Sequence, residues 1–228
     1  MKILVTGGHV TPALAVIEHL GDADVVFVGR RYALEKDTED SYEYKEVTAK
    51  GITFVNLRAG RATRLVSLRS FWNILRIPLG FIRAWSIVRA ENPDVILSFG
   101  GYIAVPVTVC AYLLGVPVVT HEQTIHPGFG NRVIGFFAKK VFVAFEEARR
   151  FFSNKAVVVG NPVRSEVFSV QKSIPHFKKT KTVLFVTGGA LGSHSINEHI
   201  FRLLPELLKE YTVIHQTGSA SEYKDHQR

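Results

Sequence analysis

Residues 95–120 contain no charged side chain, a run long enough to cross a bilayer as one helix. Its punctuation argues otherwise: Gly100-Gly101, Pro106 and Gly115-Val116-Pro117 cut the run into pieces of unequal kind. The pieces read as a buried strand (95–98), a helix (103–114) and a second buried strand (118–120). Strands covered on both faces carry this continuous apolar character, and such strands are parallel. The run therefore predicts the middle of an α/β sheet rather than a membrane span.

The rest of the chain keeps the same rhythm. Strands are predicted at 2–5, 24–28, 53–57, 141–144 and 156–159, with helices opening near Pro12, over 131–139 and around 145–152. Proline suits the first turn of a helix, where its missing N–H has no partner to lose. Strands alternating with helices define a doubly wound α/β domain with a mainly parallel sheet. Residues 165–180 are polar and basic and read as a linker. A strand (182–186), a glycine loop (187–193), a helix to Glu210 and a strand (212–215) then repeat the opening pattern. Two strands and a helix are too little for a core of their own, so the expected domains are 1–164 and an incomplete 165–228.

Charge is uneven. The net +8 includes seven arginines between Arg58 and Arg89 (Arg58, Arg61, Arg64, Arg69, Arg76, Arg83 and Arg89) with no acid among them. Such an excess fits an anionic partner. Leu68, Phe71, Trp72, Leu75, Leu79 and Ile82 recur there at helical spacing, with Phe81 and Trp85 nearby and Pro78 forcing a break or kink. Two readings stand: the stripe is core and the arginines its wet rim, or the apolar face enters a headgroup layer with arginines on anionic lipid. No nucleic-acid module is visible. The lone Cys110 excludes an internal disulfide and fits a reducing compartment. Residues 1–6 are too short for a secretory leader, so a cytoplasmic setting is expected.

The polar residues gather at strand ends. Thr6-Gly7-Gly8-His9 lies between a strand and a helix start, where glycine lets backbone approach an anion and free N–H groups face it. The structural alternative is a tight turn with no ligand, because the spacing is not that of a dinucleotide fingerprint. Gly29-Arg30-Arg31 stands where such a site needs an acid, which argues against NAD, although arginines there could meet a 2′-phosphate. His9 could take a proton from a sugar hydroxyl, or simply bond the loop backbone. Gly100-Gly101-Tyr102 and His121-Glu122-Gln123-Thr124 follow two further strands, and polar residues ending an apolar strand read as cleft residues. No second ligand accompanies His121-Glu122 at a zinc spacing, so no metal is expected. Arg164, after Gly160-Asn161-Pro162-Val163, suits a phosphate or carboxylate. The loop Thr187 to Ser193, with Gly188, Gly189, Ala190 and Gly192, is the better diphosphate cradle.

Six elements in order resemble the MurG family, the N-acetylglucosaminyltransferases that complete lipid II in bacterial peptidoglycan synthesis. They are Thr6-Gly7-Gly8-His9-Val10-Thr11-Pro12-Ala13-Leu14-Ala15, Phe99-Gly100-Gly101-Tyr102, Pro117-Val118-Val119-Thr120-His121-Glu122-Gln123, Pro127-Gly128 with Asn131, Gly160-Asn161-Pro162-Val163-Arg164, and Gly188 to Ser193 with Ile196-Asn197. The resemblance implies a GT-B fold, a Rossmann-like N-terminal domain followed by the start of a second, with no cofactor and no required metal. It implies inverting transfer of N-acetylglucosamine from UDP-N-acetylglucosamine to lipid I (undecaprenyl-pyrophosphoryl-MurNAc-pentapeptide) at the cytoplasmic face of the cell membrane, in service of wall growth, cell shape and division.

Residue by residue, the resemblance makes His9 the catalytic general base or an acceptor-site residue, and Thr6, Gly7, Gly8, Thr124, Arg164, Gly189 and Ala190 donor contacts. Thr11, Gly100, Gly101, Tyr102, His121, Glu122, Gln123 and Asn131 become acceptor-side residues. Arg69, Phe71, Trp72, Leu75, Arg76, Leu79, Phe81, Arg83 and Trp85 become the membrane-docking patch. Three departures stand out: a shortened first glycine loop, Thr124 in place of asparagine, and Ala190 in place of serine. The family's second domain runs far beyond Arg228. The competing expectation is therefore a non-catalytic acceptor-binding and membrane-docking subunit, or an inactive fragment, that needs a separate donor-binding half.

Overall fold

The computed structural model describes residues 1–32, 40–57, 59, 77–169, 181–189, 192–218 and 223–227. The chain divides into two compact units, Met1–Val170 and Gln171–Arg228. The first holds β1 (Lys2–Thr6), α1 (Val10–Ile17), β2 (Asp24–Gly29), α2 (Tyr42–Ala49), β3 (Thr53–Asn56), α3 (Ile77–Glu91), β4 (Val95–Ser98), α4 (Ala104–Leu113), β5 (Val118–Glu122), α5 (Phe129–Phe137), β6 (Lys140–Val143), β7 (Ala156–Val158) and a single helical turn, α6 (Glu166–Ser169). Two 3₁₀ turns, Glu146–Phe151 and Ser153–Lys155, stand where one short helix was expected.

All seven strands are parallel, in the order β3-β2-β1-β4-β5-β6-β7. The uncharged run is β4, α4 and β5, as its punctuation predicts. β1 shows why these strands lack polar alternation. Leu4 enters one apolar cluster with Val28, Ile96, Val107 and Val141, while Ile3 and Val5 enter a second on the other face with Leu14, Phe27 and Phe99. Both faces are covered, so both must be apolar. Among the described residues, no helix is long and apolar enough to cross a membrane.

Three details correct the sequence reading. α2 was not foreseen; Ser41 starts it, its hydroxyl accepting the Tyr44 N–H (3.1 Å) while donating to the Arg30 carbonyl (2.7 Å). The expected linker begins as ordered structure: the Ser165 N–H reaches Glu18 (3.4 Å) and Lys50 lies 3.8 Å from Glu166, so α6 belongs to the first unit. β5 runs two residues past the predicted Thr120 and takes in His121 and Glu122.

The second unit contains β8 (Thr182–Thr187), α7 (His194–Glu210) and β9 (Tyr211–Gln216), with β9 parallel to β8. α7 carries Pro205 inside it.

Candidate functional site

The sheet order reverses direction of growth between β1 and β4. Open α/β sheets bind ligands at this switch point. The loops after β1 and β4 are the Gly7-Gly8-His9 and Gly100-Gly101-Tyr102 segments, and they are tied together. Gly8 N–H donates to the Gly100 carbonyl (3.0 Å) and Phe99 N–H to the Thr6 carbonyl (2.7 Å). Gly7 has φ +150°, and a Cβ there would come within 2.8 Å of the Phe99 carbonyl carbon, so no larger residue fits.

His9 caps α1 without a side-chain bond to the first turn. Its Nδ1 lies 3.2 Å from the Phe99 carbonyl oxygen. A carbonyl can only accept, so Nδ1 carries the hydrogen and a neutral ring keeps its Nε2 lone pair. His9 and Thr11 are exposed, whereas Thr6 is wholly buried and its hydroxyl has no hydrogen-bond partner. His9 thus bonds the loop backbone through Nδ1, the second of the two roles read from its sequence context.

His121 and Glu122 were expected as cleft residues; they are only 4% and 2% exposed. Their polarity is used inside the fold. Glu122 accepts from the Thr124 N–H (2.8 Å), the Thr124 hydroxyl (2.7 Å) and the Asn131 amide, and Asn131 in turn accepts from Gly101 N–H (2.9 Å). A buried carboxylate thereby sets the Gly100-Gly101 turn through Asn131. Gly100, at φ +77°, packs so closely on that Asn131 amide that a Cβ would collide with it. His121 Nε2–H donates to the Gly160 carbonyl (2.9 Å), and its Nδ1 lies 3.2 Å from the Gln123 amide nitrogen. With both nitrogens engaged, burial holds its pKa below the ordinary 6.5. Asn161 reaches the Gln123 carbonyl (3.4 Å), so the 160–164 loop hangs on the end of β5.

Arg164 is partnered by Glu46 (3.5 Å) and Glu166 (3.9 Å), a fact its sequence context did not reveal. Glu43, also unforeseen, sits in the first turn of α2 against Gly29. One of its oxygens is buried without a partner, and burial pushes its pKa up to about 7. In the second unit, Gly189 is exposed, Gly192 has φ +81° beside the Thr217 carbonyl, and Ala190 lies outside the described residues. Asp225 is buried behind this loop, accepting from Asn197 (2.8 Å) and lying 3.0 Å from His194 Nδ1. Among the described residues, no group of three or more His, Cys, Asp and Glu side chains is placed to hold a metal.

α3 decides part of the docking question. Its buried face is Gly80, Ala84 and Val88, with Phe81 and Ile87 packed against the core. Leu79 is 57%, Ile82 63% and Trp85 38% exposed, with Arg83 and Arg89 also at the surface. The reading of the stripe as core therefore fails at Leu79 and Ile82: small residues make the close helix contact and the large ones face out. Phe81 departs from the docking set in the opposite sense, since it faces inward. Arg58, Arg61, Arg64, Arg69, Phe71, Trp72, Leu75 and Arg76 lie outside the described residues.

Solved structures of the same fold define the class. A MurG from Acinetobacter baumannii matches with a TM-score of 0.63 at 25% identity, over 99% of this chain and 61% of its own. A UDP-GlcNAc 2-epimerase from Neisseria meningitidis matches with a TM-score of 0.59 at 14% identity, over 97% of this chain and 68% of its own, which speaks for the fold alone. The fold is the GT-B type of α/β architecture.

The family follows from the sequence. Residues 5–143 match the glycosyltransferase family 28 N-terminal domain, and the chain belongs to that family. A Bacillus cereus UDP-N-acetylglucosamine–N-acetylmuramyl-(pentapeptide) pyrophosphoryl-undecaprenol N-acetylglucosamine transferase is 35% identical over 96% of this chain and 63% of its own length. A transferase of the same description from Clostridium perfringens is 33% identical, with 96% and 62% covered. The chain thus spans somewhat less than two thirds of these relatives.

Proposed function

We propose that the protein is an inverting transferase that moves N-acetylglucosamine from UDP-N-acetylglucosamine to the lipid-linked acceptor lipid I, forming the lipid II unit of peptidoglycan. The observation that carries this reading is His9. It is exposed at the switch point, its tautomer is set by the Phe99 carbonyl, and its Nε2 is left as a base. A sugar hydroxyl attacking the anomeric carbon must lose a proton, and an imidazole is matched to accept it near neutral pH. The departing UDP needs its charge held, which the start of α7 at Gly189 and Ser193 can supply through backbone N–H groups.

Met1–Val170 serves the acceptor in this reading, and Gln171–Arg228 begins the donor half. Gly8, Thr11, Gly101 and Tyr102 would meet ligand directly, and the buried Thr6, Gly7 and Gly100 would shape the loops that carry them. The buried Glu122, Asn131 and His121 would act by fixing the loops, with Gln123 and Thr124 linked to them. The outward face of α3, Leu79, Ile82 and Trp85 beside Arg83, supports docking on the cytoplasmic face of an anionic membrane.

The test is transfer of labelled N-acetylglucosamine from UDP to lipid I by this chain joined to the matching remainder of the Bacillus cereus relative, with and without His9→Ala. Turnover reduced at least a thousandfold by the substitution, on the order of what removal of a positioned base costs, is expected. Turnover that ignores His9, or a chain that does not retain lipid I, would sink the reading.

A further inference from the structure

The topology places one cation over the end of β1. β1 lies between β2 and β4, paired with Val28 on one side and Ser98 on the other through Thr6. Arg30 follows β2 and Tyr102 follows β4, yet the Arg30 guanidinium lies 5.4 Å from the centroid of the Tyr102 ring. The pair therefore closes across the strand that separates them, at the mouth where Gly7 and Gly8 turn.

Arg30 and Arg31 are equivalent in the sequence and differ in use. Arg31 Nε donates to Asp40 (2.7 Å), and its guanidinium lies against the Tyr44 ring (4.8 Å) and the Tyr32 ring (5.5 Å). Its carbonyl accepts from the Ser41 N–H, and its own N–H donates to the Asn56 side chain. Arg30 forms no ion pair among the described residues. The acid that acts on it, Glu43, turns a carboxylate oxygen to its backbone N–H (3.4 Å) and is buried. A guanidinium laid on an aromatic face is pre-organised, and its in-plane N–H groups remain for a partner with two oxygens. At the end of β1 itself, the Thr6 hydroxyl is wholly buried with no hydrogen-bond partner.

We propose that Arg30, held on Tyr102 across the end of β1, is the side chain by which the first unit takes a diphosphate group, and that this group is the lipid-linked diphosphate of the acceptor. The second clause rests on the transfer reading; the first does not. Arg30 touches the ligand away from the reacting hydroxyl, so it acts in affinity and orientation rather than in bond formation. No transfer step runs through it.

The experiment titrates inorganic pyrophosphate into the chain, followed by amide NMR shifts, for the wild type, Arg30→Gln and Arg31→Gln. Thermal melts of all three verify folding. Loss of one bidentate charged contact predicts affinity at least about tenfold weaker in Arg30→Gln, with Arg31→Gln within about twofold of wild type. Equal affinity in wild type and Arg30→Gln, or no pyrophosphate binding by the wild type, overturns the proposal. A second arm compares farnesyl diphosphate with pyrophosphate. Tighter, Arg30-dependent binding of the prenyl compound supports the lipid-linked source. Equal or tighter binding of free pyrophosphate overturns that clause. Arg30-dependent binding without any sugar transfer in the joined protein would remove the transfer reading and leave Arg30 as an anion site.

Discussion

Replacing Glu43 by Gln should make the first unit progressively more stable, relative to the wild type, as the pH rises. Glu43 is pushed from its ordinary 4.5 to about 7 by burial, against the weaker pull of the Arg30 N–H and its charge. In the unfolded chain the carboxyl ionises near 4.5; in the folded chain it keeps its proton to about 7. Its contribution is therefore intact below 4.5, declines as the pH rises from 4.5 to 7, and is lowest above 7. The full span is the difference between the two values times 1.36 kcal/mol, about 3 kcal/mol as an upper bound. Gln cannot ionise and keeps an acceptor for the Arg30 N–H. Its amide nitrogen inherits the unpartnered position, a cost of about 1–2 kcal/mol that does not vary with pH. The pH-dependent part is thus separable. From about pH 5 to pH 8 the stability of Glu43→Gln relative to wild type should rise by roughly 2–3 kcal/mol. Urea unfolding followed by far-UV circular dichroism at four pH values measures it. A difference that stays flat with pH would refute the reasoning and mean that Glu43 is ionised in the fold.

Other expectations concern separate parts of the molecule. Gly7→Ala forces a Cβ to within 2.8 Å of the Phe99 backbone at φ +150°, and should cost on the order of 2–3 kcal/mol, read as a fall in midpoint temperature. Asn131→Ala strips a donor from buried Glu122 and an acceptor from Gly101 N–H; a loss on the order of 2–3 kcal/mol is expected, with amide shifts moving at Gly100 and Gly101. His121 should stay neutral below pH 6.5 in an NMR titration, because burial lowers its pKa. Its contribution is complete above 6.5 and is lost as acid drives the pH through the lower folded value; a ring that protonates at 6.5 would contradict the buried bond to Gly160. A triple Leu79→Ser, Ile82→Ser, Trp85→Ser variant should bind phosphatidylglycerol vesicles on the order of tenfold less in co-sedimentation while melting at the wild-type temperature. Unchanged vesicle binding would move docking off α3.

The strand–helix rhythm was legible because each strand of a sheet covered on both faces is a short uncharged run, and glycine and proline mark where it ends. β4, α4 and β5 were readable for that reason. α2 was missed because only Val47 of its residues is buried, so its apolar period is too thin to see. Ser41 was its one local signal. Position at the switch point was likewise legible for Gly7, Gly8, His9, Gly100 and Gly101, since each follows a strand directly. What those residues do there was not. His121 and Glu122 look like ligand residues in sequence, because a polar pair after an apolar strand has no local explanation. Beyond the neighbouring Gln123 and Thr124, their partners are distant in the chain: the Gly160 carbonyl comes from the loop after β7, and Asn131 from α5.

The Arg-rich segment makes the same point in reverse. Its charge and its helical spacing are properties of the sequence and fixed an amphipathic α3. Which face turned inward was decided by packing on α4, where the small Gly80 and Ala84 allow close approach and Leu79 and Ile82 are left outside. Periodicity alone favours burying the larger side chains. Arg30 and Arg31 are alike in type and adjacent in position, and only the fold separates them, because Asp40 reaches one and Tyr102, from across β1, reaches the other. The sequence by itself determined the class of fold and the strand ends at which chemistry gathers, since burial pattern and turn residues act locally. The tertiary structure decided which polar side chains stay available to a ligand and which are used to build the loops, because that depends on partners distant in the chain.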